Sequence, residues 1–230
     1  MHLILSHEQG DFDAVASMLG AWLLNQQALP LLQVRLNRNV RHFIKLFRQE
    51  LPFLDYADLP VGPIDEITLV DTQSIPTLKG MTKLTRVTVM DHHATRNELP
   101  ENWVLRFEAT GACTTLLVEQ IKDAGIKMSV TQATQLLLGI YEDTGSMVYS
   151  HTSARDIRAA AFLLAAGANL KLAAKYLNPP LSEQQKDLYD QLLNRAETHE
   201  IKGQRIVFAC THATGMSDEI SSVAHKMRDF

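Results

Sequence analysis

The sequence predicts an α/β protein, a parallel-sheet domain with helices on both faces followed by the start of a second α/β domain. Three observations lead there. Short apolar runs alternate with helix-like runs from the first residues to about residue 170, the pattern of βαβ units. Three of the apolar runs end in acids or imidazoles: Leu3-Ile4-Leu5 before His7, Asp11 and Asp13; Ile67-Thr68-Leu69-Val70 before Asp71; and Val87-Thr88-Val89-Met90 before Asp91-His92-His93. Chemistry collects outside the carboxyl ends of parallel strands, so these residues are expected to converge in space. Finally, Asn178-Pro179-Pro180 cannot continue a helix and sets the expected boundary between residues 1–180 and 181–230.

The elements follow in order. Asp13 to Leu24 reads as the first helix and Leu31 to Leu36 as the next strand. Val40, Phe43, Ile44, Phe47 and Leu51 then recur at helical spacing and form a core-facing stripe. On the opposite side, Arg41, Lys45 and Arg48 could track a phosphate backbone, although a solvated helix face is the commoner meaning of such a pattern. Gly111 to Asp123 is helical and stops at Gly125. Ser129 with Gln132, and Ser153 with Asp156, read as capping boxes that open helices running toward Tyr141 and Gly167. Beyond the prolines, Ser182 to Glu197 is expected to be helical, Ile206 to Cys210 a lone strand and Ser217 to Met227 another helix. A lone strand leaves backbone groups without partners, so this stretch is expected to begin a domain whose remainder lies in a longer native chain.

Composition narrows the setting. With 46% hydrophobic and 21% charged residues, the 230-residue chain is ordinary for a globular protein. Cys113 and Cys210 belong to no CxxC or zinc spacing, so a reduced, cytoplasmic setting is expected. The start, Met1-His2-Leu3-Ile4-Leu5-Ser6, lacks a basic region and a long apolar core, and no secretory signal is expected. The longest near-continuous apolar run, Ala159 to Ala166, is far short of the ~20 residues of a membrane span. A formal charge of −4 does not exclude an anionic substrate, because two bound divalent ions would neutralise it.

His7-x-x-x-Asp11-x-Asp13 places three ligand-type side chains on one strand-to-helix turn. Hard cations prefer oxygen donors, and the added imidazoles favour Mn²⁺ over Mg²⁺. Asp71, alone at its strand end, suits a bridge between two ions; His92 can complete one coordination sphere and leave His93 to face substrate. Asp143, in Tyr141-Glu142-Asp143-Thr144-Gly145, presents an acid where a helix meets a glycine turn. Each residue has a plainer reading: Asp11 as a helix cap, Asp71 and Asp91 as turn formers. His2, His42, His151, His199, His212 and His225 belong to no motif and are expected to be structural or surface residues.

Taken together, His7 through Ala14, Val70-Asp71-Thr72, Asp91-His92-His93 and Glu142-Asp143-Thr144-Gly145 resemble the four motifs of the DHH phosphoesterase superfamily, in order and spacing, over residues 1 to about 180. Within it the pattern looks most like bacterial nanoRNase/pAp phosphatases and the amino-terminal DHH module of tRNA nucleotidyltransferase or poly(A) polymerase fusions. The resemblance implies two divalent cations, Mn²⁺ with Mg²⁺ or Co²⁺ as alternatives. His7 and Asp11 would hold one ion, Asp13, His92 and Asp143 the other, and Asp71 both. His93 would contact the scissile phosphate or assist the leaving group, and Asp91 would orient the histidines. Two such ions lower the pKa of a shared water and clamp phosphoryl oxygens. The glycine-rich, histidine-containing loop typical of the family's second domain is absent from this sequence.

The implied reaction is phosphoester hydrolysis on short oligonucleotides or 3′-phosphoadenosine 5′-phosphate. Pyrophosphate hydrolysis is the enzymatic alternative. A different class is a nucleotide- or RNA-binding module within an RNA-processing protein. The expected partners are a short RNA or nucleotide, no membrane, and the rest of a longer chain; a homodimer stays open.

Overall fold

The structure, a computed structural model, describes residues 1–75, 78–94, 99–177, 180–213, 215 and 220–228. Asn178 and Pro179 of the expected proline boundary, and Ser217 of the expected last helix, lie outside the described residues. The chain divides into two compact units, Met1–Asn178 and Pro179–Phe230.

The first unit runs β1 (His2–Leu5), β2 (Gln9–Gly10), α1 (Phe12–Leu24), β3 (Leu29–Pro30), β4 (Arg35–Leu36), α2 (Arg38–Leu46), a 3-10 turn at Tyr56–Asp58, β5 (Glu66–Val70), β6 (Arg86–Asp91), β7 (Trp103–Phe107), α3 (Cys113–Asp123), α4 (Val130–Asp143), α5 (Ala154–Ala165) and α6 (Leu170–Leu177). Its main sheet has the order β3-β1-β5-β6-β7, parallel throughout. Of the strand expected over Leu31–Leu36 only Arg35–Leu36 forms one, β4, which pairs with β2 in a separate two-stranded sheet; the strand that joins β1 in the main sheet is β3, just before the expected run. Pro30 donates no backbone hydrogen bond, and the chain leaves the sheet as Leu32 N donates to Leu54 O at 2.9 Å and the Gln33 amide to Ser6 O at 3.1 Å. Strand β7 and helix α6 were not among the expected elements, although Leu170, Ala173 and Leu177 recur at helical spacing.

Alternation along the strands sorts the core into two faces. Ile4, Val70 and Met90 join the helix side, where Phe12, Leu19, Phe43, Leu117, Leu137 and Ile140 are buried. Leu3, Leu5, Ile67, Leu69, Val87 and Val89 point the other way. That second face is covered by Leu54 and Leu59, which flank the 3-10 turn, and by Ile64, Ile75, Leu78 and Met81, so its layer is thinner than the α1–α4 layer. Helix α1 is buried nearly all round because α3 and α4 both pack on it. Gly139 permits that approach: a Cβ there would lie 2.6 Å from both Ala16 Cβ and Thr114 Oγ1. The capping boxes at Ser129 and Ser153 are present as the sequence indicated.

The second unit holds α7 (Glu183–Asn194), β8 (Glu197–Ile201), β9 (Gln204–Phe208) and α8 (Ser221–Arg228). Two expectations are corrected here. The helix after Ser182 ends at Asn194, and the following strand is not alone, because β8 and β9 form an antiparallel hairpin. Gly203 at φ +77° and Lys202 at φ +53° make the turn. All ten strand residues are exposed. Among the described residues, no helix is long and apolar enough to cross a membrane.

Candidate metal centre and active site

The ends of β1, β5 and β6 lie side by side, next to the point where the strand order reverses between β1 and β5, the position where open α/β sheets bind ligands. The turn after β1 carries His7 and Asp11, and Asp13 sits in the first turn of α1. Asp11 is also the N-cap of α1, accepting from Ala14 N at 2.9 Å, so the capping and site readings coexist. The Glu142 carboxylate accepts from Phe12 N and ties this turn to the end of α4. Asp71, one residue past β5, adopts φ 57°, a left-handed conformation that Asp tolerates better than most residues. Asp143 ends α4, where Gly145 is required: a Cβ there would meet the Tyr149 ring at 2.1 Å.

All eight expected side chains converge. Asp71 divides its two oxygens: Oδ2 lies 3.3 Å from His7 Nε2, and Oδ1 lies 3.4 Å from His92 Nε2 and 3.7 Å from His93 Nδ1. His7 Nε2 is also 3.6 Å from Asp11 Oδ1. On the other side, His92 Nε2 is 3.3 Å from Asp143 Oδ2 and 3.8 Å from Asp13 Oδ2. Two ligand-type groups result, His7–Asp11–Asp71 and Asp13–His92–Asp143, each with one donor atom per residue inside 4.8 Å of the others. A third grouping, Asp71, Asp91, His92 and His93, is equally compact.

Supporting contacts orient these groups. Asp13, fully buried, accepts from Cys113 N at 2.7 Å and Thr114 N at 2.9 Å, the free N–H groups at the start of α3. His92 Nδ1 lies 3.1 Å from Thr110 O, which assigns the proton to Nδ1 and leaves Nε2 as a lone-pair donor in the neutral ring. Asp91 Oδ1 takes His93 Nδ1–H at 2.8 Å and His93 N–H at 3.2 Å, while Oδ2 takes the Gln73 amide at 2.7 Å. Both oxygens of Asp91 are thus engaged, and His93, with 59% of its side chain exposed, presents Nε2 to solvent.

Sequence reasoning missed Gln73, whose amide holds Asp91 and the His93 carbonyl together (2.9 Å to the latter). It also missed Glu142 as a clamp and His151, whose Nε2 donates to Asp143 O at 2.8 Å. Position was the only available signal, since Gln73 lies two residues past Asp71 and Glu142 directly before Asp143.

The electrostatics describe a site arranged for cations. Burial raises Asp13 well above the ordinary carboxylate range, and Asp71 and Asp143 push it further. Asp143 is raised by burial as well. Burial would also raise Asp71, but His7 and His92 hold it below its usual value. Burial depresses the two imidazoles, yet the carboxylates facing them prevail, Asp11 and Asp71 carrying His7 to about 10, and Asp143 and Asp71 carrying His92 to about 11. Protons on these rings stand where divalent cations would provide the same charge balance. Most telling, Asp71 Oδ1 and His92 Nε2 are both buried without a hydrogen bond, although they lie 3.4 Å apart. Unpartnered buried polar atoms are costly, and a ligand between two such groups removes that cost. The mixed carboxylate and imidazole donors therefore fit divalent cations of the Mn²⁺ type.

The profile of the DHH family, N-terminal domain, matches residues 2–140. The chain belongs to the DHH family. DHH proteins are metal-dependent phosphoesterases, and two relatives illustrate their range. The A-adding tRNA nucleotidyltransferase of Geobacter sulfurreducens is 30% identical over 237 residues, covering 100% of this chain but 27% of its own length. The bifunctional oligoribonuclease and PAP phosphatase NrnA of Mycoplasma genitalium is 32% identical over 123 residues, 53% of this chain and 37% of that one. An exopolyphosphatase-related protein from Bacteroides fragilis has a similar fold, with a TM-score of 0.66 at 18% identity over 86% of this chain and 62% of its own.

Proposed function

We propose that the chain is a two-metal phosphoester hydrolase domain, acting on short oligonucleotides or on 3′-phosphoadenosine 5′-phosphate. The observation that carries this reading is the division of Asp71, one oxygen toward the His7–Asp11 group and the other toward His92 in the Asp13–Asp143 group. His7 and Asp11 would hold one ion, Asp13, His92 and Asp143 the other, and Asp71 both. Two divalent cations there would polarise phosphoryl oxygens and lower the pKa of a water between them.

The chain's own residues supply the rest. Asp91, bonded to Gln73 and His93, would act by fixing the His93 ring and, through the hydrogen bond at Nδ1, raises that imidazole's pKa. When protonated, His93 with Nε2 open to solvent can donate to a phosphoryl or leaving-group oxygen. His93→Ala is therefore expected to retain bound metal and to lower kcat by about 10²–10⁴-fold. Metal content by mass spectrometry, together with steady-state kinetics, checks both halves, and unchanged kcat would remove the role.

A second reading has an observation of its own. The match to the tRNA nucleotidyltransferase spans all of this chain but 27% of that protein, so the domain can serve as a nucleotide- or RNA-binding module of a longer polypeptide with weak turnover. A product-resolved assay with Mn²⁺ distinguishes the two, offering a 5′-phosphorylated RNA dinucleotide, 3′-phosphoadenosine 5′-phosphate and pyrophosphate in parallel. Cleavage of either nucleotide substrate supports the hydrolase. Metal-loaded protein that cleaves none of the three supports the module.

A further inference from the structure

The chain carries more acids than bases, 26 against 22, yet some segments hold basic residues and no acid, among them residues 35–49 and 157–182. Residues 35–49 hold Arg35, Arg38, Arg41, Lys45 and Arg48; residues 157–182 hold Arg158, Lys171 and Lys175. The fold brings the helices of these segments together. Tyr176 of α6 sits edge-on against Phe43 of α2 at 5.1 Å and beside His42 at 5.8 Å, and the Asn39 amide donates to Tyr176 O at 3.0 Å. The core-facing side of α2 is Val40, Phe43 and Ile44, which turns Arg38, Arg41 and Lys45 outward at helical spacings of about 5–6 Å between neighbours. On α6, Ala173 and Tyr176 are buried while Lys171 and Lys175 are exposed. Arg48 is paired with Asp55, but Lys45, Lys171 and Lys175 have no carboxylate at ion-pair distance among the described residues.

This basic surface is joined to the metal centre. Phe12, between Asp11 and Asp13, packs its ring on Phe43 at 5.9 Å and on Tyr176 at 6.1 Å. Strand β4, directly before α2, pairs with β2 inside the His7–Asp11 turn, and Asn37 N donates to Gly10 O at 3.0 Å. Both helices are thus anchored to the turn that presents Asp11 and Asp13.

We propose that α2 and α6 form a track for the sugar–phosphate backbone of a single RNA strand whose end enters the carboxylate–imidazole centre. The inference rests on the phosphoesterase reading for the identity of the polyanion. Contacts by Arg41, Lys45 and Lys175 read charge and not base sequence, so binding is sequence-tolerant and salt-dependent.

The test uses metal-loaded protein and a fluorescent oligouridylate 12-mer with phosphorothioate linkages to slow cleavage, followed by anisotropy across a salt series. The variant Arg41→Gln/Lys45→Gln/Lys175→Gln is compared with Lys83→Gln/Lys122→Gln/Lys127→Gln, which changes net charge equally at other exposed positions. The track variant should bind at least tenfold more weakly, with a salt slope shallower by about 2, since each single-strand phosphate contact contributes about 0.7. The control should match the native protein. Equal losses in both triples, no loss in the track variant, or no binding by the native protein would overturn the track. Failure of the hydrolase reading would register separately, as intact 12-mer binding with no cleavage of the dinucleotide.

Discussion

Asp71→Asn is expected to abolish metal-dependent turnover while leaving the fold intact. The substitution keeps the size of the side chain, and Asn accepts the left-handed backbone that Asp71 adopts at φ 57° as readily as Asp does. The loss is electronic: the residue exchanges a shared anion for a neutral amide whose NH₂ end would face either His7 or His92. With one oxygen left, either the His7–Asp11 group loses its third donor or the Asp13–His92–Asp143 group its fourth, and both lose the shared negative charge. Bound metal should fall at both positions, and kcat/KM should drop by about a thousandfold or more, the several kcal/mol that a metal clamp contributes. Native metal content in this variant would remove the bridging role, whatever the activity.

The second large effect is on stability, at a residue outside the four site motifs. Asp156 is fully buried and accepts from Gly111 N at 2.9 Å, Thr115 Oγ1 at 2.6 Å, Ser153 N at 2.7 Å and Ser153 Oγ at 2.6 Å. One carboxylate therefore fastens the start of α5 to the turn that opens α3. Asp156→Ala leaves these donors without an acceptor in a closed interior. The expected cost is about 2–4 kcal/mol, seen as a midpoint lowered by roughly 5–15 °C in thermal denaturation. The damage should reach the metal centre too, since Thr110 O orients His92 and the Cys113 and Thr114 N–H groups hold Asp13. Metal affinity is expected to weaken by about 10–100-fold.

The same carboxylate predicts a pH dependence. Burial alone would raise its pKa, but the Ser153 and Thr115 hydroxyls and the backbone donors hold it below the ordinary 3.8. A folded value below the unfolded one gives stabilisation that is present above about pH 4 and lost as pH falls through the folded value. Acid unfolding of Asp156→Ala should thus be less steep below pH 4 than that of the native protein.

The clustering of the candidate metal ligands was legible because these side chains follow three strands directly: His7, Asp71 and His92 need only strand order to meet. Asp143 was legible from the helix and glycine turn around it. Residues that act through long-range contact carried no such local mark. Asp156 read as the third residue of a capping box, which it is, but its bonds to Gly111 and Thr115 depend on α3 and α5 packing together. Tyr176 became part of the centre's support only when α6 closed on Phe12 and Phe43. Strand β8 was missed: only Glu197 fell within the expected helix, the exposed run Glu197–Ile201 has no buried face to mark it, and it becomes a strand by pairing with β9. The misplaced strand at Leu31–Leu36 reflects competition from β2, which draws Arg35 and Leu36 away from the main sheet.

The central claim is that Asp71 stands between two divalent cations. Crystals of the native protein grown with Mn²⁺, measured at the manganese absorption edge, test it most directly. The account predicts two anomalous peaks, one bounded by His7, Asp11 and Asp71 and the other by Asp13, Asp71, His92 and Asp143. A single peak, or peaks that leave either oxygen of Asp71 without a metal, would contradict it.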